Sequence, residues 1–325
     1  MAKKLTFSSL CLLAALVLSL CFGAVRLGPV QLWNALLAGP RNTAGYIFWY
    51  VRLPRTFACL LSGSALAVSG GVIQRCLHNS LASPSIIGVN AGAGLAVTVC
   101  CGLGILSGWA IAGAAFLGAL AAVLLILLAA EKAGASRTTV ILGGVAVNAF
   151  LNALSEAITV LFPDAAVLAG DFRVGGFSSV SWPRLIPAGL LILLALGLLL
   201  SLHNTLDVLS LGDETAQGLG LPVRRMRRLL LILSAMLAGA AVSFGGLLGF
   251  VGLIVPHAVR KLSGSESRFH LPLCAILGGA FVTFCDLTAR MVFAPFELPV
   301  GILLSVLGGP FFLLLLWKRK GGRHA

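Results

Sequence analysis

The sequence predicts an all-α, polytopic membrane protein of about ten transmembrane helices with both termini cytoplasmic. Three observations lead there. Only 10% of residues are charged, the mean hydropathy is +1.04, and the basic residues sit in short clusters between long apolar runs. A water-soluble domain carries about 25% charged residues. A helix needs about 20 apolar residues to cross the hydrocarbon, and it satisfies its own backbone polar groups on the way.

Cutting the chain at its charges gives spans at 6–25, 53–73, 88–106, 109–130, 138–161, 184–203, 227–245, 247–262, 271–290 and 298–317. The first follows Lys3 and Lys4. A basic start before Leu10–Phe22 also fits a secretory signal, but no small-x-small cleavage site follows, so an uncleaved span is expected. Both ends of the chain are basic, which requires an even number of crossings. With the N-terminus inside, 16 of the 23 Lys and Arg residues fall on the cytoplasmic side. Seven stay outside: Arg26, Arg41, Arg52, Arg55, Arg173, Arg184 and Arg290. That asymmetry has the sign of the positive-inside rule. Residues 1–325 thus read as a single transmembrane domain of the cell membrane. Its external loops are 26–52, with Trp33, Tyr46, Trp49 and Tyr50, and 162–183; its cytoplasmic segment is 204–226. Gly63, Ala67 and Gly71 in the second span form a flat face for close helix packing.

Enzyme signatures are absent. The chain has neither H-E-x-x-H nor G-x-S-x-G, and no lysine follows a glycine, which excludes a Walker A loop. Its eight cysteines lie in or beside apolar stretches without a C-x-x-C pair, so no metal site, redox motif or cofactor is expected. The net charge of +13 is distributed as topology signals, suits an anionic lipid surface and leaves no patch for nucleic acid.

Three constellations stand out. Gly212, Asp213, Glu214, Ala216, Leu219 and Gly220 lie in a short polar stretch before Pro222 and four arginines. Asp213 and Glu214 suit the first turn of a helix and Gly220 its end. Such a helix is either a docking element or an amphipathic connector. Asn148, Asn152 and Glu156 recur at i, i+4, i+8 above Gly144, on one face of the fifth span. They either line a solute path or bond neighbouring helices. Arg52, Arg55 and Arg290 face outward against the charge bias and await either an acidic partner or lipid phosphate. Three further residues read as structural: Asp286 pairs with Arg290 one turn on, Glu297 with Pro299 starts the last helix, and His257 caps a helix end. An ion-coupled secondary transporter is the alternative function, with only Glu156 and Asp286 available as coupling carboxylates.

In order along the chain, Arg52-Leu53-Pro54-Arg55, Ser69-Gly70-Gly71 with Gln74, Asn79–Pro84, Gly88 and Gly92-Ala93 are followed by Gly212-x3-Ala216-x2-Leu219-Gly220. Phe250–His257 with Arg260, Asp286 with Ala289-Arg290, and Glu297–Gly301 complete the set. This ordered set resembles the FecCD family, permeases of importers for iron-siderophores, haem and cobalamin. Ser80 and Ser83 stand where that family usually has proline and an acid, and Phe172-Arg173 where it has a tryptophan and an apolar residue. The resemblance implies a ten-helix permease paired with a second copy, two ATP-binding subunits below and an extracytoplasmic substrate-binding protein above. It implies ATPase coupling by Gly212–Gly220 and binding-protein docking by Arg52, Arg55 and Arg290. It also implies a translocation path at Asn148, Asn152 and Glu156, with a cytoplasmic gate near Ser136 and Thr138.

Overall fold

The computed structural model describes residues 2–23, 28–133, 136–263, 266–292, 294 and 296–321. Arg26 and Arg323 of the charge tally lie outside the described residues, as do the side chains of Lys3, Lys318, Arg319 and Lys320. Every regular element among the described residues is a helix.

The chain opens with α1 (Ala2–Cys21), α2 (Pro29–Ala38) and α3 (Thr43–Tyr46), then passes through a π-helical turn (Ile47–Arg52) into α4 (Leu53–Cys76). Next come α5 (Val89–Gly102), α6 (Gly108–Lys132), α7 (Arg137–Leu161), and the short α8 (Pro163–Leu168) and α9 (Gly170–Val174). The second half holds α10 (Trp182–Ser201), α11 (His203–Leu209), α12 (Asp213–Gly218), α13 (Val223–Gly245), α14 (Val251–Ser263), α15 (Ser267–Val292) and α16 (Val300–Gly321).

A helix occupies each of the ten apolar runs, but seven are long and apolar enough by themselves to cross a membrane. These are α1, the continuous Thr43–Cys76 stretch, α6, α7, α10, α13 and α15. Val89–Gly102 and Val300–Leu315 are shorter apolar helices, and α14 has 13 residues. The run at 247–262 loses its first turn because Gly246 (φ 71°) and Phe250 (φ 63°) adopt left-handed backbone, so helix geometry begins only at Val251. The expected external loops are themselves partly helical. Asn42 caps α3 by accepting from Gly45 N at 2.7 Å, and Pro163 starts α8 where its missing N–H costs nothing. Trp49 donates to Ala35 O and Trp182 to Trp49 O, tying this aromatic cluster to the start of α10.

The core is built around α4, which packs against α15, α13 and α14. Its small residues permit this. A Cβ on Gly63 would collide with the Gly278 carbonyl of α15, and one on Gly70 with the Gly252 carbonyl of α14. Ala67 lies against Gly278, and Gly71 under His270 and Cys274, so the flat face read from Gly63, Ala67 and Gly71 seats α15. Close backbone approach is what small residues contribute between apolar helices. Gly63→Ala is expected to push α4 and α15 apart and cost about 1–3 kcal/mol. A lowered unfolding temperature of the purified protein in detergent would register it; an unchanged one would mean that the helices can part without loss.

Hydrogen bonds sort the helix ends into two groups. At one end, Lys4 Nζ donates to Leu262 O, Arg75 pairs with Asp207 at 2.9 Å, Ser267 N donates to Asp207, and Arg260 donates to Gln74. At the opposite end, α1, α4 and α15 meet through Ser19, Arg52, Thr56, Arg55, Asp286 and Arg290. The first group is called the basic end below.

Candidate functional site

At the basic end, α12 is a six-residue helix lying between α11 and α13. Gly212 enters it at φ 113° and Gly220 leaves it at φ 83°, conformations that a side chain would strain. The helix ends at Gly218, two residues before the expected stop, and Leu221 N closes it by donating to Ala216 O at 3.0 Å. Ala216 is fully buried, whereas Glu214 and Leu219 are exposed. One residue anchors the element and its neighbours form the outer face.

Asp213 fixes the position of α12. Its Oδ1 accepts from Arg137 at the start of α7 and from Arg227 in the first turns of α13. Burial alone would raise the Asp213 carboxyl, but the hydrogen bonds and charges of Arg227 and Arg137 outweigh it and hold the group below its ordinary value. A depressed folded-state pKa contributes stability that is fully present above the ordinary value of 3.8 and disappears as pH falls through the folded-state value. The bridge should therefore hold from neutrality to about pH 4 and release α12 only below it. At pH 7, Asp213→Asn should strip the α12 backbone of its protection against hydrogen exchange, a loss of protection that wild type shows only in acid. Equal protection in the two chains at pH 7 would remove the bridge's assigned role.

An open cleft of about 510 Å³ lies beside α12, lined from one side by Ser136, Arg137 and Thr138 and from the other by Leu211–Thr215. The two residues read as a gate thus border the predicted coupling segment. Ser136 is the cap of α7, its Oγ accepting from Thr139 N at 3.0 Å, and Thr138 is exposed. The sequence reading missed Arg137 and Arg227 as partners of Asp213, because the basic cluster before α13 carries a topology signal that conceals a pairing role.

At the opposite end, the three outward arginines are largely buried, at 4% exposed for Arg52, 7% for Arg55 and 5% for Arg290. Arg55 engages Asp286 through Nε and NH2 at 3.0–3.3 Å and Glu297 through NH1 at 2.6 Å. Arg290 Nε lies 3.0 Å from Asp286 Oδ2, the pair expected one helical turn apart, and Arg290 NH2 donates to Ser19. Arg52 donates to Leu20 O and Cys21 O, satisfying carbonyls at the end of α1. Glu297 does more than start α16, since it reaches α4 from 242 residues away in sequence. His257 is not at a helix end. It sits inside α14 after Pro256, with its ring edge-on to Phe311 at 5.8 Å.

The α7 stripe divides in two. Asn148 Nδ2 donates to Ser85 O and Ile86 O at 2.9 and 3.1 Å, holding the unwound segment before α5, while Gly144 lets the Ile86 carbonyl approach. Asn152 and Glu156 are exposed, together with Leu142, Val145, Phe150 and Val160. Asn148 bonds a neighbouring segment, and Asn152 and Glu156 lie on an open face of the chain. Among the described residues no group of His, Cys, Asp and Glu is arranged to hold a metal ion.

Against known proteins, the FecCD transport family matches residues 11–318. The chain belongs to the FecCD transport family. This FecCD chain is 35% identical over 304 residues to the Fe(3+)-citrate import system permease protein YfmD of Bacillus subtilis, covering 94% of this chain and 90% of that one. It is 36% identical over 319 residues to the vitamin B12 import system permease protein BtuC of Klebsiella pneumoniae, with 96% and 93% covered. The hemin transport system permease protein HmuU of Yersinia pestis is 36% identical over 312 residues, with 93% and 91% covered. A solved chain described as an inward-facing conformation of a metal-chelate type ABC transporter superposes with a TM-score of 0.86 at 28% identity. That superposition covers 98% of this FecCD chain and all of the other.

Proposed function

We propose that this FecCD chain is the membrane permease of an ATP-binding-cassette importer for a metal chelate or corrinoid: a ferric chelate, haem or cobalamin. The observation that carries this reading is the family match over residues 11–318 in a chain whose basic end presents α12, anchored at Ala216 and exposed at Glu214 and Leu219. In this reading the basic end is cytoplasmic, all ten helices of the apolar runs cross the membrane, and both termini lie inside. Lys4, Arg75 and Arg260 gathered at one end support that orientation.

Two ATP-binding subunits would dock at α12, and their closure would move it as a lever. Through Asp213 the movement would reach Arg137 on α7 and Arg227 on α13 together. A second copy of the permease would cover the open face of α7, leaving Asn152 and Glu156 on the solute path with Ser136 and Thr138 at its cytoplasmic mouth. Asn148 would set the position of that face. This is alternating access, a two-state element biased by a ligand bound elsewhere. A substrate-binding protein would dock at the outer end. There Arg55 holds Asp286 by two nitrogens but Glu297 by one, and the Glu297 side chain is 38% exposed. A partner carboxylate would displace Glu297 first, with Arg52 and Arg290 supporting the site from within.

Co-expression with an ATP-binding-cassette ATPase and an extracytoplasmic binding protein tests the reading. A stable complex with chelate uptake that requires ATP is the expected result. Uptake driven by an ion gradient without the ATPase would overturn it.

A further inference from the structure

At the end opposite the basic end, α2 turns its apolar face away from the protein. The sequence specifies this helix closely: Pro29 opens it, Gln31 Oε1 accepts from Gly28 N at 3.1 Å, and Gly39 at φ 66° ends it. Ala35 faces the protein and is 1% exposed, whereas Val30, Trp33 and Leu37 are 73%, 62% and 70% exposed. At 3.6 residues per turn these three fall within about 60° of arc, on the side away from Ala35. We infer that this face is seated in the headgroup layer and upper acyl region of the leaflet opposite the basic end, where α2 lies flat as a surface anchor.

Composition, length, level and continuity support the assignment. Pro29–Ala38 contains no charged residue, and its outward face is the apolar one, the reverse of what water selects on a surface helix. Ten residues are too few to cross the hydrocarbon, which takes about 20, so an apolar helix of this length can only lie along the membrane surface. Its level follows from two hydrogen-bond sets. Arg52 donates to Leu20 O and Cys21 O at the end of α1, and Trp49, three residues earlier, donates to Ala35 O in α2. Three residues advance a helix by about 4 Å, and the headgroup layer extends about 5–7 Å beyond the hydrocarbon at each face. The middle of α2 therefore lies within that layer. The neighbouring surface is already lipid-facing, because α1 is long and apolar enough to cross and exposes Leu10, Leu13 and Val17.

Lipid fits this face better than a docking protein does. The helix offers no charge for a partner to match, and a partner that leaves would return Val30, Trp33 and Leu37 to water at every release. The indole of Trp33 suits the headgroup level, where an apolar ring body and a polar N–H are both accommodated. Seated there, α2 holds Trp49 through Ala35 O and so fixes the height of the π-helical turn that carries Arg52. This seat requires only that the chain spans the bilayer, and the proposed orientation makes the leaflet the outer one.

Nitroxide labels on the full-length chain in phosphatidylcholine–phosphatidylglycerol vesicles test the inference, with Cys11, Cys21 and Cys100 replaced by serine. Val30→Cys and Leu37→Cys change exposed residues and leave the Ala35 contact in place. Leu13→Cys on α1 supplies the lipid reference and Glu214→Cys on α12 the aqueous one. Labels at 30 and 37 should collide with dissolved oxygen as readily as residue 13 does, and with an aqueous nickel chelate several-fold less often than residue 214 does. This readout is blind to which leaflet is outer and to the ATPase, so it fails only if α2 leaves the bilayer. Nickel collisions at 30 and 37 as frequent as at 214 would place the face in water and overturn the seat. Shielding that develops only when an extracytoplasmic binding protein is added would give the face to a protein partner and likewise overturn it.

Discussion

Asp286→Ala is expected to destabilise the protein by about 3–5 kcal/mol, the cost of removing one partner from a buried ion pair. The Asp286 side chain is 1% exposed and accepts from Arg55 at 3.0–3.3 Å while Arg290 lies 3.0 Å away. Without it, the buried Arg290 guanidinium on α15 would lose its carboxylate, and Arg55 on α4 would keep only the partly exposed Glu297. Water cannot readily reach them, because both arginines are less than a tenth exposed. The substitution leaves the apolar packing of α15 in place, so the loss measures the charge cluster and not a cavity in the apolar core. Glu297→Gln is the informative contrast. It removes a partner of the same Arg55, but the Glu297 side chain is 38% exposed and the pair is partly solvated. Its loss should cost about 1 kcal/mol or less. Unfolding of both variants in detergent, followed by circular dichroism, should rank Asp286→Ala far below Glu297→Gln. Equal stability would mean that the cluster at the outer end does not hold α4 to α15.

Ala216→Trp is expected to abolish uptake while leaving membrane insertion intact. Ala216 is fully buried, the one residue that α12 turns inward. An indole there cannot fit without lifting the helix, and overpacking costs about 1–3 kcal/mol, enough to unseat a six-residue element. The long apolar helices do not depend on that contact, so insertion and yield should match wild type. Gly212→Arg should act similarly by another route. At φ 113° a side chain strains the turn that begins α12, although the space around it is open. Glu214→Ala changes an exposed residue and should leave the seating of α12 intact. Counting chelate uptake per inserted protein separates these outcomes. Normal uptake by Ala216→Trp would show that the position of α12 does not matter to transport.

The local features of this chain were legible in its sequence. The apolar runs, the small-residue face of α4, the acidic first turn of α12 and the Asp286–Arg290 pair each rest on residues within a few turns of one another. Periodicity and capping preferences report such relations directly. Long-range relations were not legible. Arg55 and Asp286 are 231 residues apart and Arg55 and Glu297 are 242 apart, and nothing near Arg52 or Arg55 signals that they turn inward. Arg52 and Arg55 therefore read as awaiting an acidic partner or lipid phosphate, whereas the fold buries Arg55 against Asp286 and Glu297, and Arg52 against the carbonyls of Leu20 and Cys21. The stripe on α7 shows the same limit. Spacing placed Asn148, Asn152 and Glu156 on one face but could not reveal that Asn148 meets the carbonyls of Ser85 and Ile86. The left-handed Phe250 likewise gave no warning, since a non-glycine residue at φ 63° is held by its surroundings.

Thiol labelling and cross-linking at Leu219→Cys would test most directly whether α12 is the element that meets the ATPase. Leu219 is 64% exposed, and the partly exposed Cys11, Cys21 and Cys100 can be replaced by serine to silence the background. Inside-out vesicles carrying the assembled transporter should give a cross-link between residue 219 and the ATP-binding subunit, with a yield that changes when ATP is added. Labelling of residue 219 by a membrane-impermeant thiol reagent from the outer face, with no cross-link to the ATPase, would contradict the account.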